Sequence, residues 1–423
     1  MKKIIGGVII FTAMFFLPSI VNATPANPAF TDDEFYACVV DNYNKENDTD
    51  YGYDTNLTDE QLESIQSLYC VSEENVLGYP VHTFVNTTGI EKMTGLTNIG
   101  MMGQRMTAID LSQNTNLTYV GFANTLLQSL DLTRNSKLQS IELDNNRLTA
   151  IDWNSQALES VDITESSLSS LDFSRVPNIL ILHLLHMNSL ESLNIRSLTQ
   201  LQELWVIDTP ITVLDFSSNQ NLNDLSLTDT KITSVDFSSN SALREVSLVG
   251  NPIENYNFGT GESLTTIRMP FHAGERLDFR SYTSLEKVEL DMIGMNEESI
   301  VALNPGVNVI MWDIIDEVYF NSLIQSMTNP AVASDNGKAG FVTTGTGRSY
   351  VTLENNSTFR LLVGEGDINE GFTANSSDGV NDTIENPNTG VDEYSVLIIM
   401  GVVMILGGSI YRIAKKKSML KTM

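Results

Sequence analysis

The sequence predicts a mostly β solenoid, and three observations support this fold class. First, an Asp or Asn flanked by apolar residues recurs nine times at spacings of 20 to 22 residues. Second, leucines and other aliphatic residues keep fixed offsets from that position. Third, the rest of each unit is rich in Ser, Thr, Asn and β-branched residues, which disfavours a helix there. The recurring polar positions are Asp110, Asp131, Asp152, Asp172, Asn194, Asp215, Asp236, Asn257 and Asp278.

One unit shows how the spacing specifies a coil of chain. The segment LQSIELDNNRLTAIDWNSQA, residues 138–157, has apolar side chains at Leu138, Ile141, Leu143 and Leu148, and Asn146 lies between the last two. This spacing matches the leucine-rich repeat, in which Leu-x-Leu is a short strand with alternate residues pointing inward. A single coil has too little apolar surface to be stable, so the coils must stack and share one core.

We therefore predict a leucine-rich-repeat solenoid of about nine 21-residue repeats over residues 64–312. Its stacked strands would form a parallel sheet on one face of the molecule. The other half of each coil is too short and too rich in β-branched residues for a helix, so we expect a second short strand or an extended turn there.

The recurring Asp allows two interpretations. Neighbouring coils are about 4.8 Å apart, so the carboxylates could form a metal-binding row. A turn is favoured instead, because Asp followed by Ser or Thr can accept backbone N–H bonds and because like charges in a row repel. The pair His183 and His186 is also compatible with a metal, but no acidic residue lies at zinc-site spacing on a helix. The register of their 22-residue coil stays open: if Leu180 starts the coil, His183 lies in the core and His186 faces outward, and if Ile179 starts it, these roles change. We predict no metal and no cofactor.

At the level of the whole repeat, the chain resembles the bacterial leucine-rich-repeat surface proteins of the internalin and BspA-like kind. The resemblance covers residues 30–313 and rests on the repeat units described above. It implies the solenoid fold and indicates little about the ligand; recognition through the concave sheet is our expectation for a secreted solenoid without catalytic motifs. The functional residues vary between members of that group, so the resemblance transfers none of them to this chain.

The N-terminus has the pattern of a secretory signal peptide over residues 1–23. Lys2 and Lys3 precede an apolar run, and Val21-Asn22-Ala23 resembles a cleavage site. The alternative is an N-terminal anchor that is not cleaved.

Residues 24–63 predict a helical cap for the open end of the solenoid. Thr31 and Asp32 can start one helix, and Thr58 with Gln61 forms a capping box for a second. Cys38 on the first helix could meet Cys70 on the first strand, which predicts a disulfide in an oxidising compartment. The alternative is a pair of buried thiols.

The C-terminal part divides into three segments. Residues 313–367 predict a small C-terminal cap or β domain, with a short helix near 318–327 followed by strands. Residues 368–385 have few apolar side chains and predict a flexible tether. Residues 386–423 contain an apolar run over 396–413 followed by lysines, which alone predicts a membrane anchor.

The residues before that apolar run change its interpretation. Asn386, Pro387, Asn388, Thr389 and Gly390, then a spacer, the apolar run and basic residues, resemble a Gram-positive sortase sorting signal. The resemblance implies that a sortase joins Thr389 to peptidoglycan at the surface of a Gram-positive bacterium, and that membrane insertion is transient. The usual first residue of the motif is Leu rather than Asn386, so the class of sortase stays open.

Composition and motifs exclude several functions. The formal net charge is −29, and an acidic surface without a basic patch argues against nucleic-acid binding. The sequence contains no phosphate-binding loop and no nucleophile motif, so we predict no enzyme.

A surface binding site is the remaining prediction. We assign outward positions by counting from the first leucine of each repeat. The residues at these positions include a group of aromatic, apolar and acidic side chains that is typical of a binding patch. Its members are Glu203, Trp205, Ile207, Leu184 and His186. We predict a surface recognition protein or adhesin for an unknown protein or glycan ligand. The alternatives are a structural protein that associates with itself and a membrane-retained receptor.

Overall fold

The computed structural model describes residues 27–72, 81–272, 274–293, 298–312, 330–335, 338–343, 347–352 and 358–368. The predicted signal peptide, the helix near 318–327 and the sorting signal lie outside these residues. Within them, no helix is long and apolar enough to cross a bilayer, and the run 396–413 lies beyond them.

The described chain starts with helices and continues almost entirely as strands. Helix α1 spans Asp33–Asn47, α2 spans Asp59–Ser64, and a short 3₁₀ helix spans Ile90–Lys92. The strands are β1 (Ser67–Val71), β2 (Asn98–Met102), β3 (Tyr119–Ala123), β4 (Ser129–Leu132), β5 (Ser140–Asp144), β6 (Ala150–Trp153), β7 (Ser160–Thr164), β8 (Ile181–Leu185), β9 (Glu203–Ile207), β10 (Asp224–Thr228), β11 (Ser234–Asp236), β12 (Glu245–Ser247), β13 (Asn255–Asn257), β14 (Thr266–His272), β15 (Arg276–Asp278), β16 (Lys287–Ile293), β17 (Ile300–Leu303), β18 (Asn308–Trp312), β19 (Pro330–Asp335), β20 (Lys338–Thr343), β21 (Gly347–Thr352) and β22 (Thr358–Val363).

The strands form a parallel β-solenoid, as the repeat predicts. One long sheet has the order β1-β2-β3-β5-β7-β8-β9-β10-β12-β14-β16-β18-β20-β19. It is parallel from β1 to β18, and β20 and β19 then add antiparallel strands. The other half of the coils carries the short pairs β4–β6 and β11–β13 and the sheet β15-β17-β22-β21. The second short strands predicted there are confirmed.

A single core runs through the coils. Leu138, Ile141, Leu143 and Leu148 are each at most 2% exposed, and their counterparts in the other coils belong to the same buried cluster. Burying each such side chain contributes about 1.5–3 kcal/mol, but a coil needs neighbours above and below to bury it.

The Asp column forms turns. In eight of the nine positions the side-chain oxygen accepts the backbone N–H two residues further on, as from Ser217 to Asp215 at 2.9 Å. The turn interpretation is therefore confirmed, with Asp152 as the exception. Deeper in the coils, buried Asn side chains donate to backbone carbonyls of the preceding coil, as from Asn240 to Phe216 and Asn219.

Helix α1 covers the first strand of the long sheet. Asp32 caps the helix through the backbone N–H groups of Glu34 and Phe35, and the capping box of Thr58 and Gln61 is present at α2. Cys38 of α1 and Cys70 of β1 form a disulfide.

Side chains of α1 also bind the outer edge of β1. The Glu46 carboxylate accepts the backbone N–H groups of Gln66 at 3.1 Å and Ser67 at 2.7 Å. Asn42 accepts the N–H of Tyr69 at 3.0 Å and donates to its carbonyl at 3.1 Å. The edge strand thus has its backbone groups occupied, which hinders pairing with another chain.

Candidate ligand-binding face

The outward side chains of the long sheet form rows, because its parallel strands pair in register. Glu203 of β9 lies between Ile181 of β8 and Asp224 of β10, and Trp205 lies between His183 and Ser226. Ile207 has Leu185 and Thr228 as its neighbours in the third row. Glu203, Trp205 and Ile207 are half-buried.

Two of the five predicted ligand-binding residues occupy other positions. Leu184 is completely buried with Leu182, so its prediction as a surface residue is wrong, and His183 takes the outward position. His186 is exposed but follows β8 in a left-handed conformation with φ 54°. It therefore lies at the rim of the sheet beside Asp208, with 2.9 Å between its Nδ1 and the Asp208 Oδ2.

The correction has a simple cause in the one 22-residue coil. Counting back 21 residues from Leu201 assigns Leu180 to the core, but Ile179 is the buried residue. The extra residue comes after the strand, since three residues lie between His186 and Leu190 where only two lie between Glu165 and Leu168. Strand β8 therefore keeps the register of the preceding coil.

His183 is absent from the binding patch predicted from the sequence, and it organises the centre of the face. Its Nε2 is 2.9 Å from the Glu203 Oε1, and its Nδ1 is 3.3 Å from the Asp162 Oδ2. Burial disfavours the imidazolium, but the hydrogen bonds to Asp162 and Glu203 outweigh burial and raise the pKa of His183 to about 9. The ring is thus a charged side chain held between two carboxylates at neutral pH.

Trp205 stacks on this imidazolium. The two ring centroids are 4.3 Å apart with an angle of 18° between the planes. The indole Nε1 donates to the Asp224 Oδ1 at 3.4 Å. These two contacts fix the plane of the indole ring. One face of the ring lies on His183, and Ser226 is the neighbour of Trp205 on the opposite side.

Carboxylates surround the aromatic centre. Burial, then Glu203 and Glu245, raise the pKa of Asp224 to about 6. Burial, then Glu165 and Asp162, raise the pKa of Asp144 to about 6. These acids repel one another in a half-buried setting, which costs free energy in the isolated protein.

The face has the chemistry of a binding surface. Among the described residues, no group of three or more His, Cys, Asp or Glu side chains has a geometry that could hold a metal ion. His183 and His186 occupy different columns and do not form the metal pair that their spacing allows. An aromatic ring between apolar and acidic side chains on an open sheet is suited to contact with a macromolecule.

Comparison with known proteins finds similar chains among solved structures. No family model matches the chain, and no curated protein matches it. Among solved structures it is similar to the functional domain of InlJ from Listeria monocytogenes, with 19% identity, a TM-score of 0.48, and coverage of 81% of this chain and 98% of that one.

Two further structures come from the same organism. An internalin, InlF, has 17% identity, a TM-score of 0.39, and coverage of 66% of this chain and 86% of that one. Internalin C2 has 20% identity, a TM-score of 0.38, and coverage of 56% and 92%. The fold assignment rests on the coils of this chain itself.

Proposed function

We propose that this protein is a cell-surface recognition protein or adhesin that binds a protein ligand through the outward face of its long sheet, and that it has no catalytic role. The arrangement that supports the proposal is Trp205, held between His183 and Asp224 on an open sheet with Ile207 beside it. Aromatic residues surrounded by partly desolvated polar groups are the usual energetic centres of protein interfaces.

A pair of substitutions tests this function. Trp205→Ala removes the stacked ring, and Glu203→Lys reverses a charge beside it. We expect each to weaken adhesion to host cells or matrix about tenfold or more, since central aromatic residues contribute at least 2 kcal/mol to many interfaces.

The matched control is Val213→Ala. Val213 is 72% exposed and lies outside the strands of the long sheet, so its replacement should leave adhesion unchanged. Unchanged adhesion by folded Trp205→Ala protein would refute the proposal. Assembly of the purified chain into large particles without a host ligand would favour the structural alternative.

The same proposal includes attachment to the cell wall. It is supported by the sequence order of Pro387, Thr389 and Gly390, a spacer, the apolar run 396–413 and the lysines after it. A muralytic enzyme should release the protein from cells, and Thr389→Ala should prevent that release. Extraction by detergent alone would show a membrane-retained receptor instead.

A further inference from the structure

The sheet face around Trp205 carries mainly negative charge. We call the outward side of strands β5, β7, β8, β9, β10 and β12 the acidic face. Among these six strands, all of them described, none contains Lys or Arg. The carboxylates on their outward positions are Glu142, Asp144, Asp162, Glu203, Asp224 and Glu245.

Positive charge is found nearby but is already paired. Protonated His183 is held by Asp162 and Glu203. The next cations along the sheet are Arg268 and Lys287, and both contact Glu289, at 3.1 Å and 2.9 Å. Arg244 is exposed and directly precedes β12, so it lies outside the six strands. The acidic face therefore keeps a large excess of negative charge.

Apolar groups are placed between these carboxylates. Ile181, Leu185 and Ile207 are half-buried on the same face, and Trp205 lies among them. A metal ion or another small inorganic cation would make no use of these apolar side chains. Lys and Arg side chains would, because they combine an apolar stem with a charged head, and their cations also bind indole rings.

We infer that the acidic face binds a Lys- and Arg-rich segment of a partner protein, with cationic heads on the carboxylates and side-chain stems on Trp205, Ile207 and Leu185. This inference rests on the proposed recognition function and specifies the chemistry of the partner. The pKa values of Asp144 and Asp224 are raised by burial and, after it, by repulsion from neighbouring carboxylates, and this repulsion supports the inference because a cationic partner relieves it.

The test uses the purified full chain and two labelled peptides, four Lys-Gly repeats and four Glu-Gly repeats, with fluorescence anisotropy as the readout in the presence of EDTA. We expect the lysine peptide to bind and the glutamate peptide not to bind. Raising the salt from 0.05 M to 0.5 M should weaken binding strongly, because exposed ion pairs are screened.

A matched pair of triple variants separates the acidic face from the overall charge of the chain. The face variant carries Glu203→Gln, Asp224→Asn and Glu245→Gln, which are nearly isosteric. The control carries Glu191→Gln, Glu254→Gln and Glu262→Gln, three exposed residues outside the long-sheet strands. The face variant should weaken peptide binding about tenfold and the control less than twofold.

Each contrary outcome overturns the inference in a distinct way. Equal weakening by both variants would show non-specific attraction to the chain's net charge. Binding that appears only when calcium replaces EDTA would show a metal-bridged contact. If Trp205→Ala abolishes adhesion while the face variant changes nothing, recognition stands and the cationic partner is wrong. If neither variant changes adhesion, the recognition function itself is wrong.

Discussion

Two histidines are buried in this protein between pairs of carboxylates. His183 lies between Asp162 and Glu203, and His82 has its Nδ1 3.2 Å from Glu34 and its Nε2 2.7 Å from Asp41. In both, burial disfavours the charged ring, but hydrogen bonds to the two acids raise the pKa above its ordinary value. Each histidine therefore binds its proton more tightly in the folded protein than in the unfolded chain, and this difference stabilises the fold.

The contacts of His183 with Asp162 and Glu203 predict how the stability of the protein depends on pH. Its pKa is raised from 6.5 to about 9 in the folded protein, so its contribution is complete below about pH 6.5 and is lost as the pH rises through 9. When the pH is raised from 7 to 9.5, the urea concentration at half-unfolding should therefore decrease for the unsubstituted protein. It should decrease less for His183→Gln.

The difference between these two proteins isolates His183, because His82 is present in both. Equal pH dependence of the two midpoints would show that the ring is neutral when folded. The Trp205 fluorescence should also shift in the variant, since the indole loses its stacked neighbour.

At the level of elements, the first strand is protected by side chains rather than by another strand. Glu46 and Asn42 of α1 occupy the outer backbone groups of Ser67 and Tyr69 in β1 and of Gln66 just before it. The disulfide between Cys38 and Cys70 holds α1 in place. A helix thereby closes an edge that would otherwise pair with a second chain.

Removing one of these side chains should reopen the edge. Glu46→Ala leaves two N–H groups to water, so we expect a loss of about 1 kcal/mol in the free energy of unfolding, together with a greater tendency to associate. Urea unfolding and light scattering measure the two effects. The control Glu63→Ala, an exposed residue of α2, should change neither, and equal effects from both would contradict the protective role of Glu46.

Sequence alone predicts the strands well and their register less well. The 21-residue period gives the sheet, the core leucines and the Asp turns, because each depends on local spacing. In the 22-residue coil the period does not determine which strand residues face inward, since the extra residue can lie before or after the strand. Leu184 and His183 are therefore exchanged in the sequence prediction. The contacts of His183 with Asp162 and Glu203 join three coils, and no local pattern reveals them.

At the level of the whole molecule, the solenoid is a sum of nearly equivalent coils. Each contacts mainly its two neighbours. The residue directly after each of seven successive long-sheet strands, and Gly250 at the equivalent position of the next coil, adopts the same left-handed conformation. Those residues are Gly103, Asn124, Asn145, Glu165, His186, Asp208, Asp229 and Gly250. A complete coil is therefore an interchangeable unit.

Deleting one complete coil should preserve the fold. Without residues 229–249, Gly250 follows Thr228 and takes the left-handed position of Asp229. Thr209, whose buried hydroxyl has no partner within the described structure, would then replace Thr230 beside Asn251. We expect native-like circular dichroism, cooperative urea unfolding and a modest loss of stability.

Deleting only residues 229–239 is the matched comparison. It removes the half-coil that returns the chain from β10 to β12, so these two strands can no longer lie side by side in the long sheet and that protein should not fold. Similar behaviour of the two deletions would show that the coils are not the units of stability.

The closed edge of β1 also has a consequence for the order in which the molecule forms. The chain is synthesised from its N-terminus, so α1 and β1 are available before the later coils. With one edge of β1 occupied by Glu46 and Asn42, only the other edge can accept a new strand. We therefore expect the solenoid to grow in a single direction, each coil adding to the strand already formed as it emerges. In that case the helical cap is the starting point of assembly as well as its boundary.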